Sequence, residues 1–269
     1  MSGLIENPAG ELRIRCLSDL HGRKEYLDPH GADILVVAGD IAPLRRLDTW
    51  AKRAQCEWMA EDFRSIVAAH PGCEFVFTPG NHDFWGLEPA MNPNSSFWPK
   101  NAHLLLDSGC CVRGMTFWGS PIVPFIGSSR RWAFECGDSV QRRVFSGMPD
   151  GLDFLVTHTP PALPGSDIDC EGVLIGSGRP LHFGSAPLAE AIAEKKPRRA
   201  VCGHIHSGSH EPVMFCKTLC LNVSVLDAAY RPAWKPREFF QDSLLYDNHQ
   251  ICYNIRRGDG QDESFGRVP

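Results

Sequence analysis

The stretch Ile34-Leu35-Val36-Val37-Ala38-Gly39-Asp40 decides the fold class. Its first five residues are all apolar and have the length of one strand, and the run ends at a Gly-Asp pair. A strand with one face in water would alternate apolar and polar residues. A continuous apolar run instead predicts a strand that is buried on both faces, in a sheet covered by further layers.

A helical pattern and a second strand follow this run. Between residues 45 and 69 apolar residues recur at helical spacing, which predicts an amphipathic helix. Glu74 to Thr78 is again a run of strand length, and it leads into Pro79-Gly80-Asn81-His82-Asp83. A strand, a crossover helix and a strand form the unit that makes parallel pairs. The fold class is therefore predicted to be α/β.

The rest of the chain carries similar signals. They predict strands near 12–17, 103–106, 111–113, 115–119, 154–157, 199–202, 211–216, 218–225 and 250–255, helices at 138–147 and 186–196, and loops at 84–101 and 160–185. No repeat or linker divides the sequence, so residues 1–256 are predicted to form one domain. Residues 257–269 are rich in Gly and charge, which predicts a disordered tail.

Polar residues that can bind a metal follow five of the predicted strands. They are Asp19 and His21, Asp40, Asn81 with His82, His158, and His204 with His206. A single Asp at a strand end is usually a turn residue, and a single His is usually structural. Because ligands of open α/β sheets bind at the carboxyl ends of the strands, five such groups together predict a site on one rim.

The residue types suit a pair of divalent cations. Two cations about 3.5–4 Å apart can clamp a phosphoryl group and lower the pKa of a water molecule bound between them. Two carboxylates, with imidazoles and an amide oxygen, complete the coordination without cancelling the positive charge of the metals. The charge that remains suits a phosphate ester.

These groups resemble the five ordered motifs of the calcineurin-like metallophosphoesterases. The motifs are Asp19-Leu20-His21, Gly39-Asp40, Gly80-Asn81-His82-Asp83, Thr157-His158 and Gly203-His204-Ile205-His206. The resemblance covers residues 12–225 and implies a four-layer fold, a β-sandwich flanked by α-helices. It also implies two metal ions: one held by Asp19, His21 and His206, the other by Asn81, His158 and His204, with Asp40 bridging them.

The same resemblance implies roles for His82 and Asp83. His82 matches the family histidine that contacts the substrate or protonates the leaving oxygen. Asp83 would orient the His82 ring, since catalytic imidazoles commonly need a partner that fixes their tautomer. Outside the motifs, Trp85 is a candidate for stacking on a substrate base. Asn222 is a candidate for substrate binding through a hydrogen bond near the metals.

A narrower resemblance rests on Ser18-Asp19-Leu20-His21, Thr157-His158-Thr159-Pro160-Pro161, Gly203 to Gly208 and Asn222-Val223-Ser224. These residues look like the small metallophosphoesterase-domain proteins, which resemble class III cyclic nucleotide phosphodiesterases. The resemblance implies a phosphodiesterase for small, cyclic-nucleotide-like diesters. A phosphomonoesterase with the same metals and a non-catalytic metal-binding scaffold stay open as alternatives, although a scaffold with a decayed site should have lost ligands.

The composition limits the classes of partner that can be expected. The net charge is −5, and Lys and Arg occur singly or in short clusters, so a long nucleic acid is not an expected partner. No apolar segment reaches membrane-spanning length and no signal peptide is recognisable, so a cytoplasmic enzyme without a membrane partner is predicted. A small phosphoester is the expected substrate. The donor set suits Mn, Fe, Zn, Co or Ni, and the oligomeric state is left open.

Overall fold

The computed structural model describes residues 10–43, 49–127, 132–173 and 180–241. In chain order its strands are β1 (Arg13–Leu17), β2 (Ile34–Ala38), β3 (Glu74–Thr78), β4 (Ala102–Leu104), β5 (Ser108–Val112), β6 (Met115–Ser120), β7 (Phe154–Thr157), β8 (Cys170–Val173), β9 (Pro180–His182), β10 (Arg199–Cys202), β11 (Val213–Phe215), β12 (Thr218–Asn222) and β13 (Arg237–Phe240). The helices are α1 (Thr49–Trp58), α2 (Arg64–Ala69), α3 (Asp138–Ser146) and α4 (Ala186–Lys195).

Two mixed sheets form the centre of the molecule. The first has the order β13-β1-β2-β3-β4, in which β1 to β4 are parallel and β13 is antiparallel to β1. The second has the order β11-β12-β10-β7-β6-β5, with a parallel centre of β12, β10, β7 and β6 and antiparallel edges. Strands β8 and β9 form a separate hairpin.

The alternating faces of β2 explain why its sequence is apolar throughout. Ile34 and Val36 belong to an apolar cluster shared by both sheets, which also contains Phe154 and Val201. Leu35 lies on the other face, in a cluster with side chains from the segment between α1 and α2. Since both faces of β2 are covered, neither can carry polar residues.

Helices cover the outer face of each sheet. Phe63 and Val67 pack against the first sheet, while α3 and α4 pack against the second through Phe145 and Leu188. The order helix, sheet, sheet, helix is the predicted four-layer β-sandwich. Within the described residues, no helix is long and apolar enough to cross a bilayer.

The predicted helix over 45–69 is interrupted in its geometry. Between α1 and α2 the segment Met59–Phe63 is π-helical, with both of these residues fully buried. A π-helical turn inserts an extra residue into the turn and so shifts which side chains face the sheet. The start of this predicted helix, at 45–48, lies outside the described residues.

Two other predictions need correction. The loop predicted at 160–185 contains the β8–β9 hairpin, and the strand β13 was not predicted. Half of β13 is charged, and Glu238 forms ion pairs with Arg13 and Arg15 of β1, so its strand character depends on its neighbour. The strand predicted at 250–255 and the tail at 257–269 lie outside the described residues.

Candidate metal centre

The carboxyl ends of five parallel strands meet at one rim of the sandwich. Strands β1, β2 and β3 of the first sheet and β7 and β10 of the second end directly before the motif residues. Two overlapping groups of side chains place their ligand atoms within 4.8 Å of one another: Asp19, His21 and His206, and Asp19, Asp40 and His158. The structure therefore brings together ligands that are up to 187 residues apart in the sequence, from Asp19 to His206.

Four of the predicted ligands have left-handed backbone conformations. Their φ angles are 60° at Asp19, 46° at His21, 51° at Asp40 and 70° at His204. Such conformations cost non-glycine residues on the order of 1–3 kcal/mol each and persist only where the surroundings enforce them. Hydrogen bonds between motifs do so here, from Asp19 N to Gly39 O (3.0 Å) and from His21 N to Asp40 O (2.9 Å).

Glycine is required beside the carboxylates. A Cβ atom on Gly80 would overlap the Asp40 carboxylate and come within 2.7 Å of Cε1 of His158, which follows a strand of the second sheet. A Cβ atom on Gly203 would overlap the Asp19 carboxylate and come within 2.6 Å of Ser18 Cβ. The glycines that precede Asn81 and His204 thus let the two sheets approach closely enough to share a site.

The first group centres on the buried carboxylate of Asp19. His206 Nε2 lies 3.2 Å from Asp19 Oδ1, and Ser224 Oγ donates a 2.5 Å hydrogen bond to Oδ2. His206 Nδ1 lies 2.9 Å from the backbone carbonyl of Asp227. Because a carbonyl oxygen can only accept, Nδ1 carries the proton, and Nε2 is the nitrogen turned towards the site.

The second group centres on Asp40 and His158. His158 Nε2 lies 3.4 Å from Asp40 Oδ1 and 2.9 Å from Asn81 Oδ1, while its Nδ1 lies 2.9 Å from the carbonyl of Ala38. The ring of His204 packs edge-on against that of His158, with centroids 5.0 Å apart. Asp40 also lies 3.6 Å from His21 Nε2, so it stands between the two groups.

Burial and charge set opposite protonation preferences in the imidazoles. Burial lowers the pKa of His21 to about 4 and that of His204 to about 3, so both rings are neutral and have a free lone pair. Burial alone would also lower the pKa of His158 and His206, but the nearby carboxylates of Asp40 and Asp19 raise both to about 9.

This donor set fits divalent metal ions. Both ring nitrogens of His21 are buried without a hydrogen-bond partner among the described residues, which is costly for a polar group unless a ligand satisfies it. His158 Nε2 faces only the acceptor oxygens of Asp40 and Asn81, and a metal ion would replace the proton shared there. Metal-binding histidines typically donate their second N–H to a carbonyl, as His158 and His206 do.

Asp83 has a different role from the predicted one. Its carboxylate accepts hydrogen bonds from the backbone N–H groups of Ile41, Ala42 and Gly80, at 2.9 to 3.1 Å. Both oxygens are therefore engaged by the backbone, and Asp83 fixes two motif loops instead of orienting the ring of His82. Burial and the nearby Asp40 raise the pKa of Asp83 to about 7.

His82 is held by its backbone and by an aromatic neighbour. Its N–H donates to Asp40 Oδ1 at 2.9 Å, and its ring centroid lies 4.2 Å from that of Trp132 and 5.2 Å from that of His21. The ring lines the cavity above the metal ligands. Its predicted role in catalysis stays a prediction.

The burial of Trp85 and Asn222 contradicts their predicted contacts with the substrate. Trp85 is fully buried in the cluster outside the first sheet, where its ring contacts Phe77 and Trp98. Asn222 is also fully buried, and its Nδ2 donates to the carbonyl of Ile205 at 2.8 Å. Trp85 is therefore a core residue, and Asn222 positions the loop that carries His204 and His206.

A cavity of about 410 Å³ opens over the candidate ligands, within the range of small-molecule sites. Asp40, Asn81, His82, His204 and His206 line it, together with residues that the motifs do not include: Phe125, Trp132, His182, Phe183 and Tyr230. The Tyr230 ring lies 4.9 Å from that of His21 and 5.1 Å from that of His206. These residues come from loops and a hairpin, where the sequence has no periodic signal.

Comparison with known proteins decides the family. The sequence matches the family model for calcineurin-like phosphoesterase over residues 12–208, which is most of the chain and includes every predicted ligand. The chain belongs to the calcineurin-like phosphoesterase family. Members of this family are typically dependent on two metal ions, and the candidate ligands of this phosphoesterase have the geometry described above.

Relatives of this phosphoesterase agree with the resemblance to the small metallophosphoesterase-domain proteins. Metallophosphoesterase domain-containing protein 1 of Homo sapiens is 27% identical over 246 residues, or 85% of this chain and 71% of the human protein. A UPF0046 protein of Caenorhabditis elegans, C25E10.12, is 23% identical and covers 86% of this chain and 82% of its own. The protein TT1561 of Thermus thermophilus has a TM-score of 0.52 at 15% identity over 79% of this chain and 88% of that one, which shows a shared fold.

Proposed function

We propose that this phosphoesterase is a metal-dependent phosphodiesterase for small diesters. The observation that carries the proposal is the convergence of Asp19, His21, Asp40, His158 and His206 beneath one cavity, with both nitrogens of His21 buried and unsatisfied by the described protein groups. A decayed scaffold would not be expected to keep these groups together. When bound, two divalent cations would supply Lewis-acid polarisation of the phosphoryl oxygens and activation of water.

The lining of the cavity supports a diester. Among the described residues that line it there is no Lys or Arg, so no ammonium or guanidinium group would balance the second charge of a monoester on the transferred phosphoryl group. Phe125 and Phe183 are each 42% exposed and offer apolar surface to a second ester group. A diester has one charge and two ester groups, which matches this arrangement.

His82 is the group proposed to act on the leaving oxygen. It lines the cavity and is connected to Asp40 only through its backbone N–H, so its ring remains available for a substrate. Burial lowers its pKa, while the charge of the Asp40 carboxylate opposes this shift and favours the protonated ring, whose N–H can donate to the leaving oxygen. Trp132 limits the movement of this ring through their 4.2 Å contact.

The test compares a matched pair of esters at equal metal loading. After chelation and reloading with Mn²⁺, kcat/KM is measured for bis-(p-nitrophenyl) phosphate and p-nitrophenyl phosphate. The diester is expected to be the better substrate. A preference of about tenfold or more for the monoester, equal to about 1.4 kcal/mol in transition-state stabilisation, would reject the diesterase and favour the phosphomonoesterase.

A variant of the central carboxylate tests the metal requirement itself. Asp40→Asn should bind fewer metal ions per chain and lose most activity, because Asp40 stands between the two ligand groups. Asp150→Asn changes a carboxylate that is 80% exposed and serves as the matched control. If Asp40→Asn kept two metal ions and near-normal turnover, Asp40 would not bridge the metals.

A further inference from the structure

One histidine among the described residues that line the cavity belongs to none of the metal motifs. His182, at the end of β9, lines the cavity, and its side chain is 48% exposed. Its Nδ1 lies 2.8 Å from Oδ1 of Asp169, a carboxylate that is 1% exposed. The hydrogen bond to Asp169 and the charge of that carboxylate raise the pKa of His182 above its ordinary value.

The surroundings of Asp169 are built around this contact. Its second oxygen accepts a 3.0 Å hydrogen bond from Gly184 N, and a Cβ atom on residue 184 would lie 2.6 Å from that oxygen. Glycine at 184 therefore permits the buried carboxylate to reach the hairpin. A buried carboxylate needs such partners, because an isolated charge in the interior is strongly unfavourable.

The hairpin is also attached to the loop that carries two metal ligands. Ser209 N donates to Asp167 O at 2.7 Å, and Asn222 Nδ2 donates to Ile205 O at 2.8 Å and lies 3.5 Å from Ile168 O. The segment that holds the partner of His182 is thus fixed relative to the His204–His206 loop. A ligand that is bound by the metals would meet His182 in a defined place.

We infer that His182 is a specificity-determining residue that binds an anionic group on the ester arm of the substrate, so the preferred substrates are phosphodiesters with a second negative charge outside the reacting phosphate. Nδ1 is engaged by Asp169, and Nε2–H is the donor that remains for a cavity ligand. Phe183, the next residue along the chain, is 42% exposed and would cover the carbon atoms of that arm. The inference rests on the proposed diesterase.

The experiment uses three diesters with the same leaving group. Ethyl, 2-carboxyethyl and 2-carbamoylethyl p-nitrophenyl phosphate differ only in the second arm, which is apolar, anionic or neutral and polar. For the Mn²⁺-loaded protein, kcat/KM of the carboxyethyl ester should exceed that of the ethyl ester by about tenfold or more, as expected for one hydrogen bond to a charged group. The carbamoylethyl ester should gain clearly less.

The variant His182→Ala should reduce the carboxyethyl-to-ethyl ratio to about one, mainly through a higher KM for the carboxyethyl ester. His103→Ala is the matched control, because His103 of β4 forms the same kind of pair with Glu74 of β3 (2.8 Å) and does not line the cavity. It should leave the ratio unchanged. Metal content and melting temperature show whether each variant is folded and loaded.

The inference would be overturned by a ratio near one in the unmodified protein, by a ratio that survives His182→Ala, or by a carbamoylethyl ester as good as the carboxyethyl ester. If His182→Ala selectively lost hydrolysis of p-nitrophenyl phosphate, the inference would also be overturned, because His182 would then serve the reacting phosphoryl group. If none of the diesters is hydrolysed, the proposed function fails instead. Calorimetry with 2-carboxyethyl phosphate and ethyl phosphate then decides the role of His182 by binding alone, with a preference lost in His182→Ala expected.

Discussion

At the scale of single residues, the site depends on conformations that local preference disfavours. Asp19, His21, Asp40 and His204 all have φ between 46° and 70°, and each lies directly after a strand or within a few residues of one. The left-handed conformation bends the chain at the strand end, so that side chains from different strands turn towards one point. Strain of this kind is commonly found at functional sites.

His82 should behave differently from the ligands around it. His82→Ala is expected to keep two metal ions per chain and to slow turnover by roughly 10²–10⁴-fold, the contribution typical of a general acid. The loss should be smaller for esters with very good leaving groups, which need little protonation. His30→Ala, at an exposed position, provides the control. Equal losses for good and poor leaving groups would show that His82 only positions the substrate.

Asp83 is expected to contribute strongly to the stability of the fold. Asp83→Ala removes the acceptor of three buried backbone amides, and each buried amide left unsatisfied costs about 1–3 kcal/mol. The free energy of unfolding, measured by urea denaturation, should therefore fall by about 3 kcal/mol or more. Asp83→Asn keeps one accepting oxygen and should lose less. A loss no larger than that of Asp28→Ala, an exposed carboxylate bound to His30 N, would contradict this role.

At the scale of elements, short segments between strands divide the aromatic residues into core and cavity. The 3₁₀ turn Phe84–Leu87 buries Trp85 against the first sheet. Trp132 precedes α3 and faces the cavity beside His82. Both tryptophans lie close to polar motif or loop residues in the sequence, so the neighbouring residues do not distinguish a core position from a cavity position. The packing of each segment does.

Substitution of the two tryptophans should separate these roles. Trp85→Ala is expected to reduce the free energy of unfolding by about 3–5 kcal/mol, the usual cost of removing a large buried ring. Its KM should change little under conditions where it is folded. The free energy of unfolding of Trp132→Leu should be close to that of the unmodified protein, while its KM should be higher. If Trp85→Ala raised KM and Trp132→Leu did not, Trp85 would be the residue that contacts the substrate.

At the scale of the whole molecule, the candidate metal site lies at the junction between the two sheets. The first sheet supplies Asp19, His21, Asp40 and Asn81, and the second supplies His158, His204 and His206. Neither sheet alone holds a complete set. The apolar cluster between the sheets therefore fixes the distance between ligands as well as stabilising the fold.

The carboxyl end of the chain provides a test at this scale. Truncation after Arg256 should leave turnover and the melting temperature unchanged, since residues 257–269 can bury little apolar surface. Truncation after Lys235 should lower the melting temperature sharply. It removes β13, exposes the edge of β1 and takes Phe239 away from Phe154. A large drop after the shorter truncation would show that the tail packs on the domain.

The sequence by itself determined the layered α/β class, ten of the thirteen described strands and the residues gathered at the strand ends. It could do so because a strand buried on both faces is apolar throughout, and because parallel strands bring their carboxyl ends to one edge. Only the tertiary structure decided that Trp85 is core, that Asp83 and Asn222 fix backbone loops, and that His182 and Tyr230 line the cavity. These roles depend on contacts between distant segments, such as Asp83 with Ile41 or Asn222 with Ile205. No local pattern of the sequence encodes such contacts, since they join the ends of strands that lie in one sheet but are far apart along the chain.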